Sequence, residues 1–430
     1  MEEKKLKLDT NDLSYVRIKG GNRLEGVVSP DGAKNSALIQ LASLVLVDGN
    51  FVTLKNLPLI SDVYDSIEMI KETGLKTKLV DNEVTIMGEP SSFEFSAYYG
   101  SKIRASLAFL GSVLSKFGQV KLPLPGGDKI GERPIDIHVD VLEAFDIEVA
   151  IRNGFVFAKA RTFPLKGSSV FLRFPSVLAT VNGILLGVLA EGKTVLNNVA
   201  KEPEIVDLTN LLTKMGARIN GVGTDRITIV GVTELNSTTH EVMPDRLEAA
   251  ALMMSIVMTE GKGTVENTIP EHNIPLIETL RRCGIDVVTD GDKVHIDAVN
   301  FNKGFQVETR PFPGLATDVQ PLITPLGLKC PEESIITDNV FQERFSHVDE
   351  LRKMGAQIDR FNNTIHIKPN NKLSGASVEG GDIRTVVTLI NAALSIDDDS
   401  KVYGVEHLNR GHSKFIEKLK LLNADIEIIN

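Results

Sequence analysis

One pattern recurs six times along this 430-residue chain. A helical segment ends in a small turn residue, and an apolar-alternating strand follows. The copies are KETGLKTKLV at Gly74, EAFDIEVAI at Asp146, TKMGARI at Gly216, RRCGIDVV at Gly284, RKMGAQI at Gly355 and KLLNADIEI at Asn423. Their spacing of about 70 residues is the length of a compound structural unit repeated along the chain. Gly, Asn and Asp tolerate left-handed backbone, so each position predicts a helix C-cap. After the first five, a polar turn such as Asp81-Asn82 or Asn362-Asn363 leads to a second alternating strand, which predicts a hairpin. A second helix is predicted upstream in each unit, over residues 36–47, 104–116, 177–190, 246–259, 318–328 and 384–395. Each unit thus reads βαβαββ.

Several upstream helices carry almost no charge. SALIQLASLVLV and VLATVNGILLGVLA are expected to be buried on most sides, with the sheets outside them. Six such units exceed one core, so two domains of three units each are expected. The predicted fold class is α/β (α+β), in two domains of three units each, with the helices inside and the sheets outside.

A net charge of −10 argues against a general nucleic-acid or membrane-surface binder, although it permits a local cationic pocket. Two cysteines, Cys283 and Cys330, make neither a disulfide framework nor a CxxC metal site. No HxH or HExxH spacing occurs, so no metal is expected, and His138 and His347 read as solvated or core histidines. No GxSxG, GxxxxGK[ST] or GxGxxG occurs. The opening MEEKKLKLDTND lacks an apolar core, and the longest apolar runs are too short to span a bilayer, so a cytoplasmic location is expected.

The chemistry-bearing residues collect in a few stretches. Residues 122–138, LPLPGGDKIGERPIDIH, carry Asp128, Lys129 and Arg133 on a Gly-rich turn. That suits a lid over an anionic substrate or an ordinary charged surface loop. Lys34 opens a helix after Gly32, where backbone N–H groups favour an anion. Arg104, Arg133, Arg246, Arg344, Arg384 and Arg410 recur at helix starts or nearby loops. Facing across one cleft they would suit a substrate carrying phosphate and carboxylate; spread apart they would be six structural salt bridges. Asp128, Asp245 and Asp318 are the acids that stand out; helix capping accounts equally for Asp318 and for the Glu202–Glu204 stretch.

At these residues the chain resembles the enolpyruvyl transferases, most closely the branch acting on UDP-N-acetylglucosamine. The resemblance rests on GAKNSA (32–37), IRAS (103–106), LPGGDKIGERPIDIH (124–138), PSV (175–177), KEPEIVD (201–207), MPDRLEA (243–249), TDVQ (317–320), VFQERFSHVDEL (340–351) and NRG (409–411). It implies a two-domain inside-out α/β barrel with its active site in the interdomain cleft, and discontinuous domains, 1–33 plus 243–430 and 34–242, the latter carrying the lid at 122–138. It implies transfer of the enolpyruvyl group of phosphoenolpyruvate to a sugar hydroxyl, without cofactor or metal. Lys34, Arg133, Arg344 and Arg410 would hold phosphoenolpyruvate. Asn35, Arg104, Pro134, Ile135, Asp136, Ile137, Ser176, Val177, Asp318 and Val340 would hold the sugar nucleotide. Asp318 would be the base, Asp128 the acid, and Lys34 and Arg410 further catalytic groups.

Five features depart from the family pattern: Asp128 where Cys is usual, Leu178 for Gly, Leu315-Ala316 for Phe-Pro, Lys129 and Glu132 flanking the lid, and His412 for Tyr. Asp128 implies insensitivity to the thiol-directed epoxide fosfomycin. Leu178 leaves room for another nucleotide-linked acceptor. A silent sugar-nucleotide sensor and an RNA 3′-phosphate cyclase on a related repeat fold are weaker alternatives. The catalytic residues argue against the sensor, and the acidic charge argues against the cyclase.

Overall fold

The computed structural model describes residues 14–127, 134–369 and 371–430. Its chain forms a mixed α/β fold, with six sheets among the described residues and none of them closed. The local reason for the alternation is visible at the six turn positions. Gly74, Asp146, Gly216, Gly284, Gly355 and Asn423 all have positive φ, between 59° and 104°. Each donates its N–H to the carbonyl three residues back, at 2.9–3.0 Å. The helix is stopped the same way six times, and the chain leaves in the direction of a strand.

The sheets share one arrangement. In five of them a parallel pair is followed by two antiparallel pairings. Gln306–Thr309, for example, runs parallel to Ser334–Asp338, which pairs antiparallel with Thr364–Ile367, which pairs with Ile358–Phe361. The sixth sheet holds Gln119–Pro123, Phe155–Ala160 and Ile147–Arg152, with Glu94 bridged parallel to Lys121 at its edge. Strand Tyr15–Lys19 lies between Asp399–Tyr403 and Asp425–Ile429, so distant parts of the chain share a sheet.

Six helices are buried over most or all of their length: Lys34–Ser43, Ala108–Phe117, Val177–Leu189, Arg246–Met258, Val319–Lys329 and Ile383–Leu394. Their low charge leaves no face that prefers water. Two separate apolar cores form around them. One draws on residues 33–242, the other on residues 16–28 and 247–426. The chain passes between the two cores at adjacent places. Ala33 N–H donates to Met243 at 2.7 Å and Asp245 N–H to Asp31 at 2.8 Å, with Gly32 opposite Pro244. Gly32 is required there by space, because a Cβ would lie 1.7 Å from the Asn56 carbonyl oxygen. Among the described residues no helix is long and apolar enough to cross a membrane.

Candidate active site

A cleft of about 490 Å³ lies between the two cores, walled by residues of both. It starts where the chain crosses over. Lys34 is the first residue of helix Lys34–Ser43, and the side chain of Asp245 accepts its backbone N–H at 3.2 Å. Asp245 also caps helix Arg246–Met258 through Leu247 N–H and Glu248 N–H, at 2.7 and 3.2 Å. Of the acids prominent in the sequence, Asp245 is thus the structural one.

Asp318 stands at the N-cap position of helix Val319–Lys329, yet its side chain caps nothing. Its Oδ1 accepts from Arg344 Nη2 at 3.1 Å and from Arg384 Nε at 2.9 Å. Burial alone would push this carboxyl up. The two guanidinium charges overcome that and hold it well below the usual carboxylate range. Arg384 Nη1 also donates to His412 Nε2 at 2.8 Å. Burial and the charges of Arg384, Lys418 and Lys34 keep the His412 pKa well below its ordinary value, so the ring is neutral and can accept.

On the facing wall, Asp62 is 3% exposed, in the first turn of helix Ser61–Glu72. Its carboxylate joins Lys34 Nζ at 2.7 Å and Arg410 Nε at 3.1 Å. This pairing draws Arg410, from the second core's side, to a helix of the first. Glu204 grips Arg246 at 2.9 and 3.4 Å in a second link between the two walls. Deeper, Asp338 accepts from Val340 N–H, Phe341 N–H and Thr317 Oγ1 at 2.7–2.9 Å. It therefore ties the Val340 turn to the residue beside Asp318.

Twelve of the residues expected from the sequence line this cleft: Lys34, Asn35, Arg104, Pro134, Asp136, Ile137, Ser176, Val177, Asp318, Val340, Arg344 and Arg410. Ile135 instead packs against the first core. Asp128 and Arg133, with Lys129 and Glu132, lie outside the described residues. Leu178 and Ala316 line the cleft, while Leu315 is buried behind it. His138 is buried in the cleft wall, lowered to about 3 by burial and then by Arg104, with Nδ1 at 2.8 Å from Asn182. His347 is likewise buried, beside Thr324.

Arg246 and Arg384 were visible as recurring arginines, but nothing local marked them as cleft residues. Asp62 gave only the sign of a first-turn acid, which helix-dipole complementarity explains equally well. The assembled cleft offers several cations, a carboxylate held between two of them and no described metal-binding cluster. Such a site can bind a compact polyanion beside a hydroxyl.

Comparison with known proteins agrees. The family model for EPSP synthase (3-phosphoshikimate 1-carboxyvinyltransferase) matches residues 18–419. UDP-N-acetylglucosamine 1-carboxyvinyltransferase 2 of Carboxydothermus hydrogenoformans is 40% identical over 417 residues, covering 96% of this chain and 99% of that protein. Among solved structures, the enolpyruvyl transferase NikO from Streptomyces tendae superposes with a TM-score of 0.87 at 21% identity, covering 96% of this chain and 98% of that one. EPSP synthase from Acinetobacter baumannii gives 0.76 at 19% identity, covering 97% and 100%. These two likenesses speak for the fold. The chain belongs to the EPSP synthase (3-phosphoshikimate 1-carboxyvinyltransferase) family and is an enolpyruvyl transferase.

Proposed function

We propose that this enolpyruvyl transferase moves the enolpyruvyl group of phosphoenolpyruvate to the 3-hydroxyl of UDP-N-acetylglucosamine, the first committed step of peptidoglycan precursor synthesis. The observation that carries the reading is Asp318, ionised between Arg344 and Arg384 in a cleft that also holds Lys34 and Arg410. The 40% identity to a curated relative of that name supports the acceptor. The two cores would then be two domains, 34–242 and 1–33 plus 243–430, with the reaction between them.

In this reading Lys34, Arg133, Arg344 and Arg410 hold the phosphate and carboxylate of phosphoenolpyruvate. Asp318 takes the proton of the acceptor hydroxyl as its oxygen bonds to C2, and Asp128 gives a proton to C3. The tetrahedral adduct then loses a proton from C3 and breaks its C2–O bond to phosphate. The products are the enolpyruvyl ether and inorganic phosphate.

Asp318 is a weak base while both arginines hold it. An anionic substrate on Arg344 competes for that guanidinium and makes the carboxylate more basic as the reaction complex assembles. An acid at position 128 offers no thiolate, so fosfomycin should leave activity intact; rapid irreversible inactivation would contradict this.

The test is phosphate release from phosphoenolpyruvate with and without UDP-N-acetylglucosamine, alongside Asp128→Asn. Release that requires the sugar nucleotide and collapses in the variant supports the reading. A second reading, another nucleotide-linked acceptor, is motivated by Leu178 in the cleft wall. It gains if that acceptor fails while phosphoenolpyruvate still raises the melting temperature, and Leu178→Gly is then the variant to assay.

A further inference from the structure

Among the described residues five carboxylates line the cleft, and four of them have cationic partners. Asp62 has Lys34 and Arg410, Asp136 has Arg173, Glu204 has Arg246, and Asp318 has Arg344 and Arg384. Glu202 is different. It precedes helix Pro203–Lys214 without capping it. Its Oε1 accepts a long bond, 3.4 Å, from the backbone N–H of Phe312, and its own backbone N–H also favours the carboxylate. Its Oε2 is buried and has no hydrogen-bond partner among the described residues. Burial pushes this carboxyl above its ordinary range, and Glu204 beside it adds to the effect.

A buried carboxyl oxygen without a protein donor costs free energy unless another donor reaches it. A ligand donor reaching it would recover that cost. The neighbourhood says which kind. Glu204 beside it is already paired with Arg246, and the ionised groups of phosphoenolpyruvate carry acceptors and no donor for this oxygen. The fit is an uncharged O–H or N–H. Resting on the proposed function above, we infer that Glu202 is a specificity-determining residue: its Oε2 accepts a hydrogen bond from a hydroxyl or amide N–H of the acceptor sugar.

The substitution Glu202→Gln gives a sharp test. Phe312 N–H would keep its carbonyl acceptor, which leaves the amide NH2 where Oε2 stands. Shape is retained and an acceptor becomes a donor. The Michaelis constant for UDP-N-acetylglucosamine should rise about tenfold to a hundredfold, the effect of losing a hydrogen bond to a charged group. The Michaelis constant for phosphoenolpyruvate and the melting temperature should stay as in wild type. Calorimetric titration of the sugar nucleotide gives a readout independent of turnover and should show the same loss.

An unchanged acceptor constant overturns the inference. So does a joint shift of both Michaelis constants with the melting temperature, which would make Glu202 only the anchor of Phe312. A wild-type protein that neither binds nor converts the sugar nucleotide overturns the underlying reading instead, and that outcome is visible before any variant is made.

Discussion

Asp318 and Asp62 do related work on opposite walls of the cleft: each places one carboxylate between two cations. Asp318→Asn would keep much of the hydrogen-bonding shape and remove the charge. Turnover should fall about 10²–10⁴-fold, the usual contribution of a general base, while calorimetric binding of the sugar nucleotide changes far less. Equal losses in both would make Asp318 a binding group only. Asp62→Ala leaves Lys34 and Arg410 without their shared partner. Urea unfolding should show a loss of about 3 kcal/mol, the low end for a broken buried pair, since Arg410 retains some exposure. The residues alone favoured helix capping for Asp318, and only the family resemblance made it a base. Its side chain makes no cap hydrogen bond and pairs with Arg344 and Arg384 instead, which removes the capping reading.

At the scale of elements, the six left-handed turns and the two crossing segments govern the architecture. Gly216 has φ 104°, and a Cβ there would sit 3.0 Å from the Asn236 amide nitrogen, a side chain able to move. Gly216→Ala should cost about 1 kcal/mol in urea unfolding, mostly for the backbone. Asp245→Ala removes a cap and the bond to Lys34 N–H together, so about 2 kcal/mol is expected, the upper end for a lost cap. Should it cost no more than a surface substitution, the crossover would hold itself by backbone bonds alone. The turns were legible because a C-cap is a local event, decided within a few residues. The sharing of one sheet by Tyr15–Lys19 and Asp425–Ile429 was not, since register between distant strands has no local signature.

At the scale of the whole molecule, the crossover is braced by a buried cluster. Lys418 Nζ joins Glu248 at 2.7 Å and Asp31 at 3.1 Å, and Asp31 N–H donates to Glu248 Oε2 at 2.6 Å. Burial pushes Glu248 from its ordinary 4.5 up to about 7, with Lys418 opposing and Asp31 adding. Between those values the folded chain holds a proton that the unfolded chain has released. The stability this gives is full below about pH 4.5 and lost as pH rises through about 7. Glu248→Gln should therefore flatten the decline in melting temperature between about pH 5 and 8. An unaltered slope would mean that Lys418 keeps Glu248 ionised throughout.

Much of this protein was determined by its sequence alone: the six helix stops, the low-charge helices that become buried and the motifs that mark the family. These rest on periodicity and turn chemistry, which act over a few residues. The tertiary structure alone decided which charges meet. Arg410 reaches Asp62 across 348 positions of sequence, and Arg384 reaches Asp318 across 66. It also decided that Glu202 lines the cleft while its buried Oε2 has no hydrogen-bond partner among the described residues. Such meetings follow from how two cores are set against each other, and no local pattern encodes that placement.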